Sequence, residues 1–295
     1  MLKKIILIAS LLFLFTSCTS EYDKRIKISA TTWIGYIPLF YAKEKGWLSE
    51  INIKLLSVTS LAENMYIYEA GNSDAYTGTQ YEYLSLSTSM PTLKPIIMFD
   101  RSNGGDLVMS NISLEELQST TTEIDAYLEI DSINNTILED FLVSKGLKNK
   151  NINYINKDQV QIKHLKVTSK PTIIVTYVPY NLSLEKNGFM ELASTKDNHD
   201  IVVVDAMFTK TEFYNLHKAQ FIELKQIVDR SIEALHKDPK EFYSVVQPYI
   251  LEMDYEEFQA SLNDIIWINK TFSDKLKTKM IQAKFPIRDL IKDES

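Results

Sequence analysis

The sequence predicts an α/β protein of two lobes that share strands, and three observations carry that prediction. Short apolar, strand-like runs alternate with helical segments from Ile26 onward. Prolines stand at the expected helix starts and glycines just past the ends. No Pro/Gly/Ser-rich linker separates the two strand-rich stretches, so the lobes are joined by strands and not by a tether.

The segment before Ile26 has a different character. Lys3 and Lys4 precede the apolar run Ile5 to Phe15, broken only by Ser10, and Thr16 and Ser17 lead into Cys18. The run spans 11 residues, short of the roughly 20 that cross a bilayer as a helix, so it reads as a secretory signal. Cys18 is the only cysteine, which excludes an intramolecular disulfide. Its place after a small pair resembles the lipobox of bacterial lipoproteins, with Phe15 where leucine is usual. That resemblance implies a signal peptide over 1–17, a lipid on Cys18, and a tether over 18–25. Removing Lys3 and Lys4 leaves 30 basic against 39 acidic side chains, a net charge of −9. Such a surface argues against nucleic acid as a partner and does not choose a ligand.

The elements follow in order. Ile26 to Ala30 alternates as a strand, and the turn Trp33-Ile34-Gly35-Tyr36 leads to a helix over Pro38 to Lys45, closed by Gly46. Ile51 to Ser57 is the next strand. Ser60 with Glu63 has the spacing of a capping box, opening a helix that stops at Gly71. Strands are expected at Ala75 to Tyr76, Ile96 to Met98 and Leu107 to Met109, with a helix over Tyr81 to Thr88 between the first two. Ser113 with Glu116 caps a short helix, Ala126 to Ile130 reads as a strand, and Asp131 or Ser132 caps a helix ending near Lys145. Strands Asn153 to Ile155 and Ile173 to Tyr177 follow, the second running into Pro179 at another helix start. Ile201 to Val204 reads as the last buried strand, and Thr211 to Ile291 as mostly helical, with acidic N-caps at Asp238 and Asp254.

The chemistry of common enzymes finds little support. His164, His199, His217 and His236 show no ligand spacing, so no metal is expected. No G-x-S-x-G, P-loop or G-x-G-x-x-G occurs, and no cofactor is expected. The strand-to-helix turns instead carry aromatics and hydroxyls: Trp33 and Tyr36; Thr77, Thr79 and Gln80; Asp131, Ser132 and Asn134; Tyr177 and Tyr180. Such turns form ligand sites in α/β proteins, because helix starts present free N–H groups. The loop Asp100 to Asp106 adds Ser102 and Asn103 beside Gly104 and Gly105, whose lack of a side chain lets backbone approach a ligand closely.

Thr32-Trp33-Ile34-Gly35-Tyr36-Ile37-Pro38-Leu39, with Ala42-Lys43-Glu44-Lys45-Gly46-Trp47, resembles the opening of the nitrate, sulfonate, taurine and thiamine-precursor binding proteins of ABC importers. Asp100 to Met109, Val175 to Tyr180 and Asp254 to Leu262 are similar to further segments of that family, in order. The resemblance implies the type II periplasmic binding protein fold, two α/β lobes joined by two crossing strands near Val108 to Ser110 and Val203 to Asp205. Lobe one would be 26–109 plus 205–295, and lobe two 110–204.

The resemblance also implies a small-molecule ligand between the lobes, held by Trp33, Tyr36, Thr79, Ser102 and Asn103 on one side and Ser132, Asn134, Tyr177 and Tyr180 on the other. It implies delivery to an ABC permease and ATPase complex, a monomer anchored by its lipid to the periplasmic or extracellular face of a membrane, and no catalysis. Two departures bear on ligand charge: Val178 stands where the family often has aspartate, and Asp131-Ser132 where it has Gly-Ser. An aspartate at a helix start competes with an anionic ligand for the same N–H groups. A ligand-binding sensor is the alternative, and an enzyme of the same fold a more distant one.

Overall fold

The computed structural model describes residues 22–196, 201–250, 253–271 and 273–291. The signal, Cys18 and His199 lie outside the described residues. Among those residues, no helix is long and apolar enough to cross a membrane.

Two mixed sheets form the frame. The first contains β1 (Ile26–Ala30), β2 (Ile53–Ser57), β3 (Ala75–Thr79), β4 (Leu93–Ser102), β10 (Val204–Lys210) and β11 (Ile265–Trp267), in the order β11-β4-β10-β3-β1-β2. The second contains β5 (Asp106–Ser110), β6 (Ile124–Leu128), β7 (Ile152–Asn156), β8 (Thr172–Tyr177) and β9 (Met190–Ser194), in the order β7-β6-β8-β5-β9. In each sheet the strands linked through helices pair in parallel, as β1 with β2 and β3 and β6 with β7 and β8. The strands that carry the chain between sheets pair antiparallel. This is why β3 and β8 are buried throughout, with helices covering both faces.

The chain leaves the first sheet at Ser102, enters the second at Asp106, and returns between Ser194 and Val204. All of β5 therefore pairs within the second sheet, and the first crossing lies at 103–105, ahead of the expected Val108 to Ser110. The expected strand at Ile201 to Val204 also moves, because β10 begins at Val204 and continues to Lys210. Residues 201–203 are apolar for another reason. Val203 is buried between the sheets, and its carbonyl accepts the Ser102 amide at 3.0 Å, joining the two crossings.

Local signals placed most helices. These are α1 (Ile37–Glu44), α2 (Trp47–Glu50), α3 (Leu61–Glu69), α4 (Gln80–Ser87), α5 (Leu114–Ser119), α6 (Ile133–Ser144), α7 (Gln159–Ile162) and α8 (Tyr180–Lys186). Ser60, Ser113 and Ser132 each accept an amide from the first turn that follows. Pro179 sits before α8 and not within it. The Ser113–Glu116 box closes on itself, whereas Glu63 reaches past Ser60 to the amide and hydroxyl of Thr59. At this box the cap holds and the reciprocal bond shifts by one residue.

The chain beyond Thr211 is helical as expected, forming α9 (Thr211–Leu216), α10 (Lys218–Lys237), α11 (Pro239–Val246), α12 (Tyr255–Ser261) and α13 (Asp274–Gln282), except for the unexpected edge strand β11. α10 and α11 pack on α1 of the first lobe. Phe242 is fully buried there, stacked on Tyr41 with centroids 4.3 Å apart and facing Phe258 at 6.3 Å. The guanidinium of Arg230 lies 3.5 Å over the Trp47 ring, a contact worth about 0.5–2 kcal/mol. Phe242→Ala is expected to cost about 3–5 kcal/mol by leaving a cavity that these rings cannot refill, read as a lower urea midpoint with an unchanged slope.

Candidate functional site

The carboxyl ends of β1, β3 and β8 and the amino ends of β5 and β10 converge on one cavity. Thr31, Trp33, Thr79 and Asp205 face it from the first lobe, Asp106 and Tyr177 from the second, and Leu61, Ile133 and Val203 supply its apolar remainder. Sheet pairing brings these groups together, since Thr79 stands opposite Asp205 in β3 and β10, and Tyr177 opposite Asp106 in β8 and β5. The lobes are closed on the cavity, which measures about 10 Å³ and has room for about one water.

Trp33 forms the wall between the lobes. Its ring meets Tyr177 edge to face at 5.8 Å and 83°, and Tyr177 meets Tyr180 in the same manner at 5.4 Å and 78°. A Cβ on Gly105 would fall 2.4 Å from Cη2 of Trp33, so Gly105 accommodates the tryptophan and not, as the sequence suggested, a ligand. Gly35 is constrained on the opposite side, where a Cβ would fall 1.8 Å from Oδ2 of Asp100 and 2.6 Å from Nε1 of Trp33.

Carboxyl groups dominate the electrostatics. Asp106 Oδ2, Asp205 Oδ2 and both oxygens of Asp100 are buried without a hydrogen-bond partner among the described residues, as are Trp33 Nε1 and the Tyr177 hydroxyl. Burial pushes Asp106 up to about 7, against a smaller opposing effect of the Ser102 hydroxyl. Burial also drives Asp100 well above the carboxylate range; the Trp33 N–H faces it without closing a well-formed hydrogen bond and offsets part of this. Asp205 is raised by burial and by the charge of Asp100, although the Tyr36 hydroxyl donates to its Oδ1.

Two glutamates occupy the helix starts that face the cleft. Glu82 of the first lobe accepts the Thr79 amide and hydroxyl at 2.7 and 2.6 Å with one oxygen. With the other it accepts the Ile133 amide, the first of α6 in the second lobe, at 3.1 Å. Glu129 of the second lobe mirrors this. It accepts the Leu61 amide, the first of α3 in the first lobe, at 3.2 Å, and the Gln159 amide at 3.2 Å. A carboxylate at a helix start gains from the exposed amides and from the helix dipole. Burial still prevails and pushes Glu129 up to about 8, while Glu82 rises in the same direction.

No family model matches the chain, and no curated protein matches it. Solved structures do. A ligand-binding component of an ABC-type import system from Staphylococcus aureus, with zinc bound, superposes with a TM-score of 0.70 at 14% identity, covering 92% of this chain and 98% of its own. The alkanesulfonate-binding protein SsuA from Xanthomonas axonopodis pv. citri, bound to MOPS, gives 0.68 at 10% identity over 91% and 96%. A Candida albicans protein described as having the generic periplasmic binding protein fold gives 0.63 at 11% identity over 90% and 92%. This chain has the periplasmic binding protein fold.

Within that fold the sequence-predicted residues separate into groups. Trp33, Thr79 and Tyr177 line the inter-lobe cavity. Tyr180 backs Tyr177, and its hydroxyl lies 3.5 Å from that of Thr32 across the lobes. Tyr36 is fully buried behind the cavity, holding Asp205. Ser102 sits at the crossings, its hydroxyl 2.7 Å from that of Thr195 and accepting the Asp106 amide at 3.1 Å. Asn103 lies beside it, facing a separate groove with Arg101 and Lys196. Ser132 caps α6, and Asn134 accepts from Gln159 at 2.9 Å. Asp131, expected to compete at the start of α6, instead accepts the Tyr66 hydroxyl at 2.7 Å; Glu82 takes that place.

Sequence reasoning missed Thr31, Asp205, Glu82 and Glu129. A signal existed for three of them, because Val204-Asp205 and Leu128-Glu129 each end an apolar run with an acid, and Thr79-Gln80-Tyr81-Glu82 is a capping box.

These acids set a pH dependence. Unfolded carboxyls release their protons near pH 4, whereas folded Asp106 and Glu129 hold theirs to about 7 and 8. The folded protein thus binds more protons between those limits, and this contribution to stability is full below pH 4 and lost as pH rises through 7 to 8. Urea unfolding of ligand-free protein at half-unit pH steps tests this. Asp106→Asn is expected to flatten the decline between pH 5 and 7 by one proton, about 1.4 kcal/mol per pH unit. An unchanged slope would exclude Asp106 as a buried proton carrier.

Proposed function

We propose that the protein is the extracytoplasmic solute-binding component of an ABC importer, capturing a small molecule between its two lobes and making or breaking no bond in it. The observation that carries this reading is the closed inter-lobe cavity, walled by Trp33 and Tyr177 and bordered by buried polar atoms that lack partners among the described residues. Buried polar groups are ordinarily hydrogen-bonded, so such a set at a hinge suits a ligand that completes it on closure. The crossings at 103–105 and, on the return, at Thr195, Lys196 and 201–203 form the hinge, tied by Ser102 and Thr195. Affinity for the closed state then shifts the population toward it, and the closed surface is what a permease and ATPase complex would engage.

The neighbours that share the fold support the reading, since the ones from Staphylococcus aureus and Xanthomonas are described as binding components. The lipid anchor rests on the sequence around Cys18, and such an anchor would hold the protein on the outer face of a membrane.

Two measurements test the proposal. Protein stripped of small molecules should show a larger radius of gyration in X-ray scattering than natively purified protein, with the smaller value restored by the co-purified extract. No bound molecule, together with one invariant shape, would count decisively against a binding role. Separately, Cys18→Ser should abolish incorporation of a fatty-acid label and release the protein from membranes, because stable anchoring needs more than one acyl chain. Labelling that persists in the variant would refute the anchor.

A further inference from the structure

We propose that the inter-lobe site takes a small organic cation, its ammonium or amidinium N–H groups held by Asp106 and Asp205 and its apolar part lying against Trp33 and Tyr177. This rests on the binding role argued above and names the chemistry of its ligand.

Three observations converge on it. First, Asp106 and Asp205 both line the cavity, are at most 4% exposed, and each presents an oxygen with no hydrogen-bond partner among the described residues. Asp100, fully buried behind Trp33, adds a third acid whose field acts in the same direction. No lysine or arginine is among the lining residues. A buried carboxylate without a partner is costly, and a donor cation removes that cost.

Second, the positive features that an anion would use are already taken. The first amide of α6 points to Glu82 and the first amide of α3 to Glu129. A helix start binds an anion through these free amides, and here α6 and α3 each hold a glutamate from the opposite lobe. A sulfonate or nitrate entering the site would meet Asp106 and Asp205, and the unpartnered donors among the described lining residues are neutral ones, the Trp33 N–H and the Thr31 and Tyr177 hydroxyls.

Third, the wall suits an organic ion. Trp33 and Tyr177 stand edge to face at 5.8 Å, and the face of an aromatic ring attracts a cation. Among the described residues, no group of three or more His, Cys, Asp or Glu side chains is arranged to hold a metal ion. With room for about one water in the closed state, any ligand larger than ammonium must enter the open form and hold the lobes further apart.

The test uses full-length protein in detergent, stripped of bound molecules, and titration calorimetry with four probe sets: putrescine and agmatine; methylammonium chloride; methanesulfonate, ethanesulfonate and nitrate; zinc and calcium chloride. Any natively bound molecule is identified in parallel by mass spectrometry. At least one organic cation should bind saturably, quench tryptophan fluorescence, and lose at least tenfold in affinity in both Asp106→Asn and Asp205→Asn. An organic cation recovered from the native protein would support the assignment further. Preferential binding or recovery of an anion, or of zinc or calcium alone, would overturn the cationic assignment and leave the binding role standing. If no probe binds and no molecule is recovered, both proposals fall. Retained cation affinity in the two aspartate variants, folded by circular dichroism, would overturn the proposed contacts.

Discussion

The closed arrangement of the two lobes depends on a reciprocal exchange of carboxylates. Glu82 belongs to a helix of the first lobe and holds the start of α6 in the second; Glu129 belongs to the second lobe and holds the start of α3 in the first. Each is buried, and each satisfies amides that water can no longer reach. Burial favours the neutral form of both acids, a hydrogen bond between neutral groups contributes roughly 0.5–1.5 kcal/mol, and both exist only when the lobes meet. They therefore stabilise closure without specifying what is enclosed, which leaves discrimination to the groups on the cavity surface.

Those groups are in conflict without a ligand. Asp100, Asp106 and Asp205 converge from both sheets, and burial favours their neutral forms. The same low-dielectric setting that makes an unpaired acid costly strengthens its attraction to an enclosed donor. Stability and recognition are thus opposed at these positions, as they commonly are at functional sites. Tyr36 shows the compromise, since its hydroxyl satisfies one oxygen of Asp205 from the core side while the other faces the cleft.

The aromatic wall is positioned by residues distant in sequence. Gly105 admits the Trp33 ring, Gly35 admits Asp100, and Tyr177 closes the edge. Each glycine replaces a side chain that could not fit, so a loop motif that looks like a backbone site for ligand is in fact a seat for tryptophan. The hinge uses the same economy: Thr195 receives the Gly104 amide at 2.8 Å while pairing with Ser102, fastening one crossing to the other.

The sequence by itself determined the alternation of strands and helices, because capping and periodicity are local. Ser113 with Glu116, Ser132, and the apolar run Ile173 to Tyr177 act within a turn or a strand, and they stand where they were read. The resemblance of the Trp33 segment and of the Tyr177 turn likewise pointed to the fold. Tertiary structure alone decided what crosses the chain. The edge strand β11 needs β4 as its partner, and Ile201 to Val203 serve the hinge because Ser102 lies beside them. Glu82 reads locally as the end of a capping box and gains its second role only when α6 arrives from the other lobe. The charge of the cleft was illegible for the same reason: Asp106 and Asp205 lie far apart in the chain, and their proximity is created by sheet pairing and closure.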